Sequence, residues 1–193
     1  MRFLVIYAHP VEDSFVSAIH HCTVNALTEA GHEVDDCDLY SEGFQPVLSR
    51  EERLAYHDQR INRVSVSREI ERLLRCRGLV LIFPTWWYGM PAILKGYIDR
   101  VWLPGVAFEV VGHRTLPLLQ NITRFAVVTT YGSPWWLNKL MGDPSRRALM
   151  RGVSGLFAQD VRKLWLAQYS LDAIDAAARE GFLRKVDRRF RNV

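Results

Sequence analysis

Two uninterrupted apolar runs stand out along the chain, Phe3-Leu4-Val5-Ile6-Tyr7-Ala8 and Leu79-Val80-Leu81-Ile82-Phe83. Neither alternates between apolar and polar positions, as expected of parallel strands covered on both faces. Pro84 stops the second run. Elsewhere the period is helical. Phe15, Ile19, Cys22 and Ala26 recur at three- and four-residue spacing, which predicts a helix over 14–30 closed by Gly31. Residues 34–40 read as a second strand, and their several Asp residues place it at a sheet edge. Ser49 and Glu52 have capping-box spacing, so a short helix is expected to start there. Further helices are predicted over 65–76, from near Pro91 to about 101, over 145–156 and over 172–190. The last presents Ile174, Ala178, Phe182, Val186 and Phe190 on one side. Residues 125–130 and 161–167 complete the strands.

Strands alternating with helices predict an α/β fold. The layout suits a doubly wound, five-stranded parallel sheet of order 2-1-3-4-5 with helices on both faces. No repeat, low-complexity tract or linker divides residues 1–193, so a single domain is expected.

Composition narrows the function classes. Apolar residues make up 49% and charged residues 24% of the 193 positions, which argues against disorder. A net charge of +4 allows an anionic ligand without demanding nucleic acid. The cysteines Cys22, Cys37 and Cys76 form no CxxC pair, so neither a disulfide framework nor a zinc site is expected. No apolar stretch approaches the roughly 20 residues of a membrane helix, and the first run is too short for a signal-peptide core. A cytoplasmic protein with reduced thiols is expected. The basic tail, with Arg184, Lys185, Arg188, Arg189 and Arg191, reads as a solvated helix face or as a surface for an acidic partner; it lacks a nucleic-acid recognition motif.

In a doubly wound sheet, ligands bind beyond the carboxyl ends of the strands where the strand order reverses, here between strands 1 and 3. Three loops meet that point. The first, His9-Pro10-Val11-Glu12-Asp13-Ser14-Phe15, opens a helix and offers unpaired N–H groups to a phosphate, with Ser14 and His9 as side-chain donors. The same residues read as a plain N-cap and loop. The second, Pro84-Thr85-Trp86-Trp87-Tyr88-Gly89-Met90-Pro91, sets three aromatics between a buried strand and a helix. Consecutive loop side chains cannot all enter a core, so the segment reads as a wall for a flat heterocycle, or as an aromatic plug or a partner-binding patch. The third, Thr129-Thr130-Tyr131-Gly132-Ser133-Pro134-Trp135-Trp136, adds hydroxyls and a glycine that lets backbone approach a ligand, or makes an ordinary turn.

The stretch Phe83-Pro84-Thr85-Trp86-Trp87-Tyr88-Gly89-Met90-Pro91-Ala92-Ile93-Leu94-Lys95-Gly96-Tyr97-Ile98-Asp99-Arg100-Val101 closely resembles the signature of the flavodoxin-like NAD(P)H:quinone oxidoreductases. That family includes the animal quinone reductase, the bacterial modulator of drug activity B and the ancillary flavoproteins of potassium efflux systems. Tyr7-Ala8-His9-Pro10, Ser14-Phe15 and Thr129-Thr130 add to the likeness, which covers most of residues 1–135. It implies a flavodoxin-like fold and a bound flavin, FAD ahead of FMN. His9, Ser14 and Phe15 would hold the phosphate side. Pro84, Thr85, Trp86, Trp87 and Tyr88 would border the isoalloxazine, with main-chain amides near its N5 and O4. Thr129, Thr130 and Gly132 would approach the pyrimidine edge. The chain departs from the family at Tyr131-Gly132, where two glycines are usual, and at Val16, where the animal enzyme has Asn. It also lacks the animal enzyme's Tyr and His beside the flavin; Leu137 and Asp143 fall nearest those positions.

The implied activity is hydride transfer from NAD(P)H through flavin to a quinone or similar small acceptor, by a ping-pong mechanism. Tyr131 is the candidate catalytic side chain, as an extra hydrogen-bond donor to the reduced ring. The alternative is a flavin-binding regulatory subunit of a membrane potassium-efflux transporter. A homodimer is expected from the resemblance and from the aromatics near the site: Trp86, Trp102, Phe108, Trp135 and Trp136.

Overall fold

The computed structural model describes residues 1–193. Its strands are β1 (Arg2–Tyr7), β2 (Glu33–Asp38), β3 (Gly78–Pro84), β4 (Phe108–Val111), β5 (Arg114–Pro117), β6 (Arg124–Thr130) and β7 (Arg162–Gln168). Its α-helices are α1 (Phe15–Glu29), α2 (Arg50–Ala55), α3 (Ser67–Arg75), α4 (Ala92–Val101), α5 (Trp135–Leu140), α6 (Pro144–Arg147) and α7 (Ala176–Phe190). Five strands pair in parallel in the order β2-β1-β3-β6-β7. This is the expected 2-1-3-4-5 winding, and the order reverses between β1 and β3.

The period of two along each strand divides the core. Leu4, Ile6, Leu79, Leu81, Phe83, Phe125 and Val127 pack with residues of α3 and α4 on one face. Phe3, Val5, Val80, Ile82, Ala126 and Val128 pack with α1 and α7 on the other. Every position of β3 is buried, which is why its sequence is a continuous apolar run. Gly78 begins that strand because a Cβ there would lie 2.2 Å from the Phe3 ring.

Strand β2 is an edge, and its acidic residues have partners. Asp35 accepts from Arg2 at 2.8 Å and from Arg72 at 2.9 Å, and Arg72 also pairs with Glu42 at 2.9 Å. Burial alone would raise the Asp35 pKa; the two guanidiniums outweigh it and hold the carboxyl below its ordinary range. The capping box at α2 forms as expected: Ser49 Oγ accepts from the Glu52 amide at 3.1 Å, and Glu52 Oε2 accepts from the Ser49 amide at 2.8 Å.

Several expectations need correction. Pro91 is the N-cap of α4, not its first helical residue. The last helix starts at Ala176, because the Asp175 side chain caps it; Asp172 belongs to a preceding 3₁₀ turn. The helix expected over 145–156 runs as α6, then a π turn (Ala148–Gly152), then a 3₁₀ turn (Val153–Leu156). Gly152, Val153 and Gly155 lower the propensity to hold one α register. The β4–β5 hairpin was not expected. Apart from Phe108 its residues are exposed, so they carry no burial alternation to read; Gly112 turns the chain at φ +61°. Trp102, expected near the surface, lies in the core edge-on to Phe157 at 5.8 Å.

Candidate functional site

The carboxyl ends of β1, β3, β6 and β7 deliver four loops to one place. The loop after β3 is the most unusual. The Trp86 amide donates to the Gly89 carbonyl at 3.1 Å, and the Gly89 amide donates to Trp86 at 2.9 Å. Between them, Trp87 and Tyr88 have φ of +51° and +60°. Two positive φ values inside a reciprocally bonded four-residue turn define a type I′ turn, which normally takes Asn-Gly. A side chain in this left-handed region costs roughly 1–2 kcal/mol per residue. The amides of Trp87 and Tyr88 take part in none of the chain's hydrogen bonds. The turn thus holds two unpaired donors and an almost bare indole, Trp87 being 98% exposed.

Pro84, Thr85, Trp86, Trp87, Thr130 and Gly132 line a cleft of about 510 Å³, closed on its far side by Leu171 and Asp172. A smaller adjoining cavity is lined by Thr85, Trp87, Tyr88, Tyr131, Gly132 and Asn138. A Cβ on Gly132 would stand 3.2 Å from Asp172 Oδ2, so a side chain there would crowd the cleft. Thr129 is fully buried behind the cleft, where its hydroxyl meets that of Thr85 at 2.9 Å. It supports the wall instead of lining it.

Tyr131 is buried and stacks on Tyr169, with centroids 4.8 Å apart and planes 17° from parallel. Its hydroxyl lies 3.5 Å from Asp143 Oδ1. Burial pushes its pKa well above the usual phenol range, the Asp143 charge adds to this, and a hydrogen bond with Thr85 opposes it. The hydroxyl therefore stays protonated at neutral pH and can donate. Asp143 itself sits at φ +49° and accepts from Lys139 at 2.8 Å.

At the β1 loop, Ser14 caps α1: its Oγ accepts from the Ser17 amide at 3.1 Å. His9 Nδ1 lies 3.0 Å from the Val11 amide. Both side chains thus serve the local turn, as the plainer reading anticipated. The amides of Phe15 and Val16 remain without partners at the head of a 15-residue helix. The Phe15 ring contacts Phe182 at 6.2 Å and lies under the Arg179 guanidinium. His9 and Trp86 are 6.1 Å apart by ring centroid, which links this loop to the turn after β3.

The structure therefore gathers His9, Pro84, Thr85, Trp86, Trp87, Tyr88, Thr130, Tyr131 and Gly132 around the cleft and its adjoining loop. Ser14 and Phe15 stand at the start of α1. Sequence reasoning missed the loop after β7, where Ser170 at φ +53° turns Leu171 and Asp172 toward the cleft. No Gly or Asn marks that turn. The basic tail lies elsewhere. Arg184 pairs with Glu180, Arg191 pairs with Asp187 and Glu29, and Arg188 and Arg189 border a cleft at the amino ends of β6 and β7. No helix is long and apolar enough to cross a membrane.

The family model of the flavodoxin-like fold matches residues 1–189. The uncharacterised NAD(P)H oxidoreductase YcaK of Escherichia coli is 38% identical over 109 residues, 55% of each chain. Rat (Rattus norvegicus) NAD(P)H dehydrogenase (quinone) 1 is 33% identical over 150 residues, 68% of this chain and 54% of the rat protein. The chain thus spans about half the length of these curated relatives. Over its whole length it superposes on the NAD(P)H:quinone oxidoreductase of Methanothermobacter marburgensis, with a TM-score of 0.86, 30% identity and 98% of that chain covered. With the winding, the turn after β3 and these likenesses in agreement, the chain belongs to the flavodoxin-like family that includes the NAD(P)H:quinone oxidoreductases.

Proposed function

We propose that the cleft binds a flavin and that the protein is an oxidoreductase passing a hydride from NAD(P)H to a quinone or a similar small acceptor. The observation that carries the reading is the strained turn after β3. Holding Trp87 and Tyr88 at positive φ costs folding free energy and leaves two amides unpaired beside an aromatic-walled cleft. Strain of this kind persists where a ligand site uses it.

A bound flavin supplies the hydride-accepting and hydride-donating chemistry. The chain supplies the rest. The unpaired amides of Trp87 and Tyr88 would hold the polar edge of the ring system, and the Trp87 indole would offer it an aromatic face. The amides of Phe15 and Val16, at the positive end of α1, take a phosphate. Gly132 leaves room for the ring beside Asp172. Tyr131, stacked on Tyr169, keeps its proton; its hydroxyl, now directed at Asp143, would have to turn from that carboxylate to donate toward a bound ring. No side-chain nucleophile is needed.

One face of the cleft serves nicotinamide and acceptor in turn, so steady-state lines with varied NAD(P)H and quinone should be parallel. The exposed rings of Trp86 and Trp87 line this cleft, those of Trp135 and Trp136 stand exposed at the start of α5, and a second copy of the chain covering them would complete the site. The primary test is titration of the purified protein with FAD and with FMN. Quenched flavin fluorescence and a shifted visible spectrum are expected, and flavin released by heat from the isolated protein shows which cofactor it carries. If saturating flavin changes neither absorbance nor fluorescence, the reading falls.

A further inference from the structure

Beside the aromatic cleft lies a second cavity, of about 530 Å³, built by α5, the turn after it and α6. Four cations line it, Lys139, Arg146, Arg147 and Arg151, against one carboxylate, Asp143. Asp143 Oδ2 is already engaged by Lys139 at 2.8 Å and lies 3.8 Å from Arg146. Arg147 and Arg151 pair with no carboxylate. The cavity therefore carries an excess of positive charge that the protein does not neutralise.

Its wall holds two departures from regular backbone. Asp143 takes the N-cap position of α6 at φ +49°, and the π turn Ala148–Gly152 follows Arg147 directly and contains Arg151. π turns in helices recur at functional sites. The cavity is also next to the cleft. Asn138 and Tyr131 line the smaller cavity that adjoins the cleft, Lys139 follows Asn138, and the Tyr131 hydroxyl lies 3.5 Å from Asp143.

A nicotinamide ring seated in the cleft would send its diphosphate and adenosine ribose outward. Sites that prefer NADH place a free carboxylate on the ribose 2′-hydroxyl, whereas an arginine accommodates a 2′-phosphate. Here the lone carboxylate is buried and occupied, and two guanidiniums are unpaired. A phosphate monoester brings about −1.5 to −2 further charge and three acceptor oxygens. We infer that Arg147 and Arg151, with Lys139 and Arg146 beside them, bind the ribose 2′-phosphate of NADPH, and that the protein uses NADPH in preference to NADH. The inference rests on the proposed nicotinamide site in the cleft.

Two measurements test it. In steady-state turnover, KM for NADPH should be at least about tenfold below KM for NADH, as expected of charge-assisted bonds to a phosphate. The R147A/R151A protein should bring the ratio of the two KM values close to one, and R147K/R151K should restore part of it. In calorimetry on the unsubstituted protein, adenosine 2′,5′-bisphosphate should bind at least about tenfold more tightly than adenosine 5′-monophosphate, with an affinity that falls as salt rises. Equal KM values with robust turnover overturn the inference and leave the oxidoreductase reading intact. Absent turnover and absent flavin binding defeat the oxidoreductase reading instead. The calorimetry needs no flavin and still decides the cavity: equal or undetectable binding of the two nucleotides overturns the 2′-phosphate site.

Discussion

Replacing Trp87 by Ala separates what the turn after β3 does for the fold from what it does for a ligand. The indole is 98% exposed, so its removal deletes almost no packing. The stability of the flavin-free protein should change by no more than about 0.5 kcal/mol, the usual range for surface substitutions. The same change removes an aromatic face from the cleft. Stacking of an aromatic side chain on a flat base contributes about 1–3 kcal/mol. The flavin Kd should therefore rise by roughly fivefold to 150-fold. A Trp87→Gly variant controls for the backbone. Glycine tolerates φ +51° without steric cost, but its unfolded chain is more flexible, so the two effects oppose each other and stability should again move little. Both variants should lose similar affinity if the ring is what matters. Flavin fluorescence titration gives the affinity, and urea denaturation of the apo protein gives the stability. Unchanged flavin affinity in both variants would show that Trp87 faces away from the ligand. A stability loss above about 1 kcal/mol would show that the turn serves the fold.

Three further outcomes are expected. Ser14→Ala removes the acceptor for the Ser17 amide and should lower stability by about 1 kcal/mol, read from urea denaturation; an unchanged midpoint would mean that the cap contributes nothing. Glu52 is held at a pKa of about 2: burial raises it, but Arg100, Ser65 and the Ser49 amide outweigh that, so its stabilisation is complete above about pH 4.5 and is lost as pH falls toward 2. Glu52→Gln should lower stability at pH 7 and converge on the parent protein near pH 2; a constant difference across that window would contradict the assignment. Light scattering at micromolar concentration should give the mass of a dimer, and dilution to monomer should lower specific activity in step, whereas a fully active monomer would refute a shared site.

The sheet was legible because burial on both faces leaves one kind of sequence. β1 and β3 are continuous apolar runs, and nothing else in a chain of this composition needs them. α1 was legible from Ser14 and from the spacing of Phe15, Ile19 and Ala26, and α2 from Ser49 and Glu52. Elements whose residues face solvent carried no such constraint. In the β4–β5 hairpin the local turn at Gly112 decides the conformation, and in the segment after Pro144 the register drifts from α to π to 3₁₀ under weak propensity. Trp102 shows a different limit. A tryptophan beside a site reads the same whether it fills the core, as Trp102 does, or stands in solvent, as Trp135 and Trp136 do. Only the tertiary packing of Phe157 against it separates these outcomes.

The site was legible in its location and partly hidden in its geometry, and both facts have one cause. Position followed from topology: a reversal between β1 and β3 leaves a crevice at the strands' carboxyl ends, and the loops after those strands must border it. Geometry did not follow, because the residues there disobey local preference. Trp87, Tyr88, Asp143 and Ser170 all adopt positive φ, a region that pattern reading assigns to Gly or Asn. All four lie in the loops that surround the cleft and the cationic cavity, and no other residue except glycine shares that conformation. Glycine at such positions would relieve the steric strain, although its more flexible unfolded chain offsets part of that gain. At Trp87, Tyr88 and Asp143 the chain carries a large or charged side chain in this strained region instead. Agreement between local preference and global fold fails in this molecule at the loops around the cleft and its neighbouring cavity, where ligand contact is proposed.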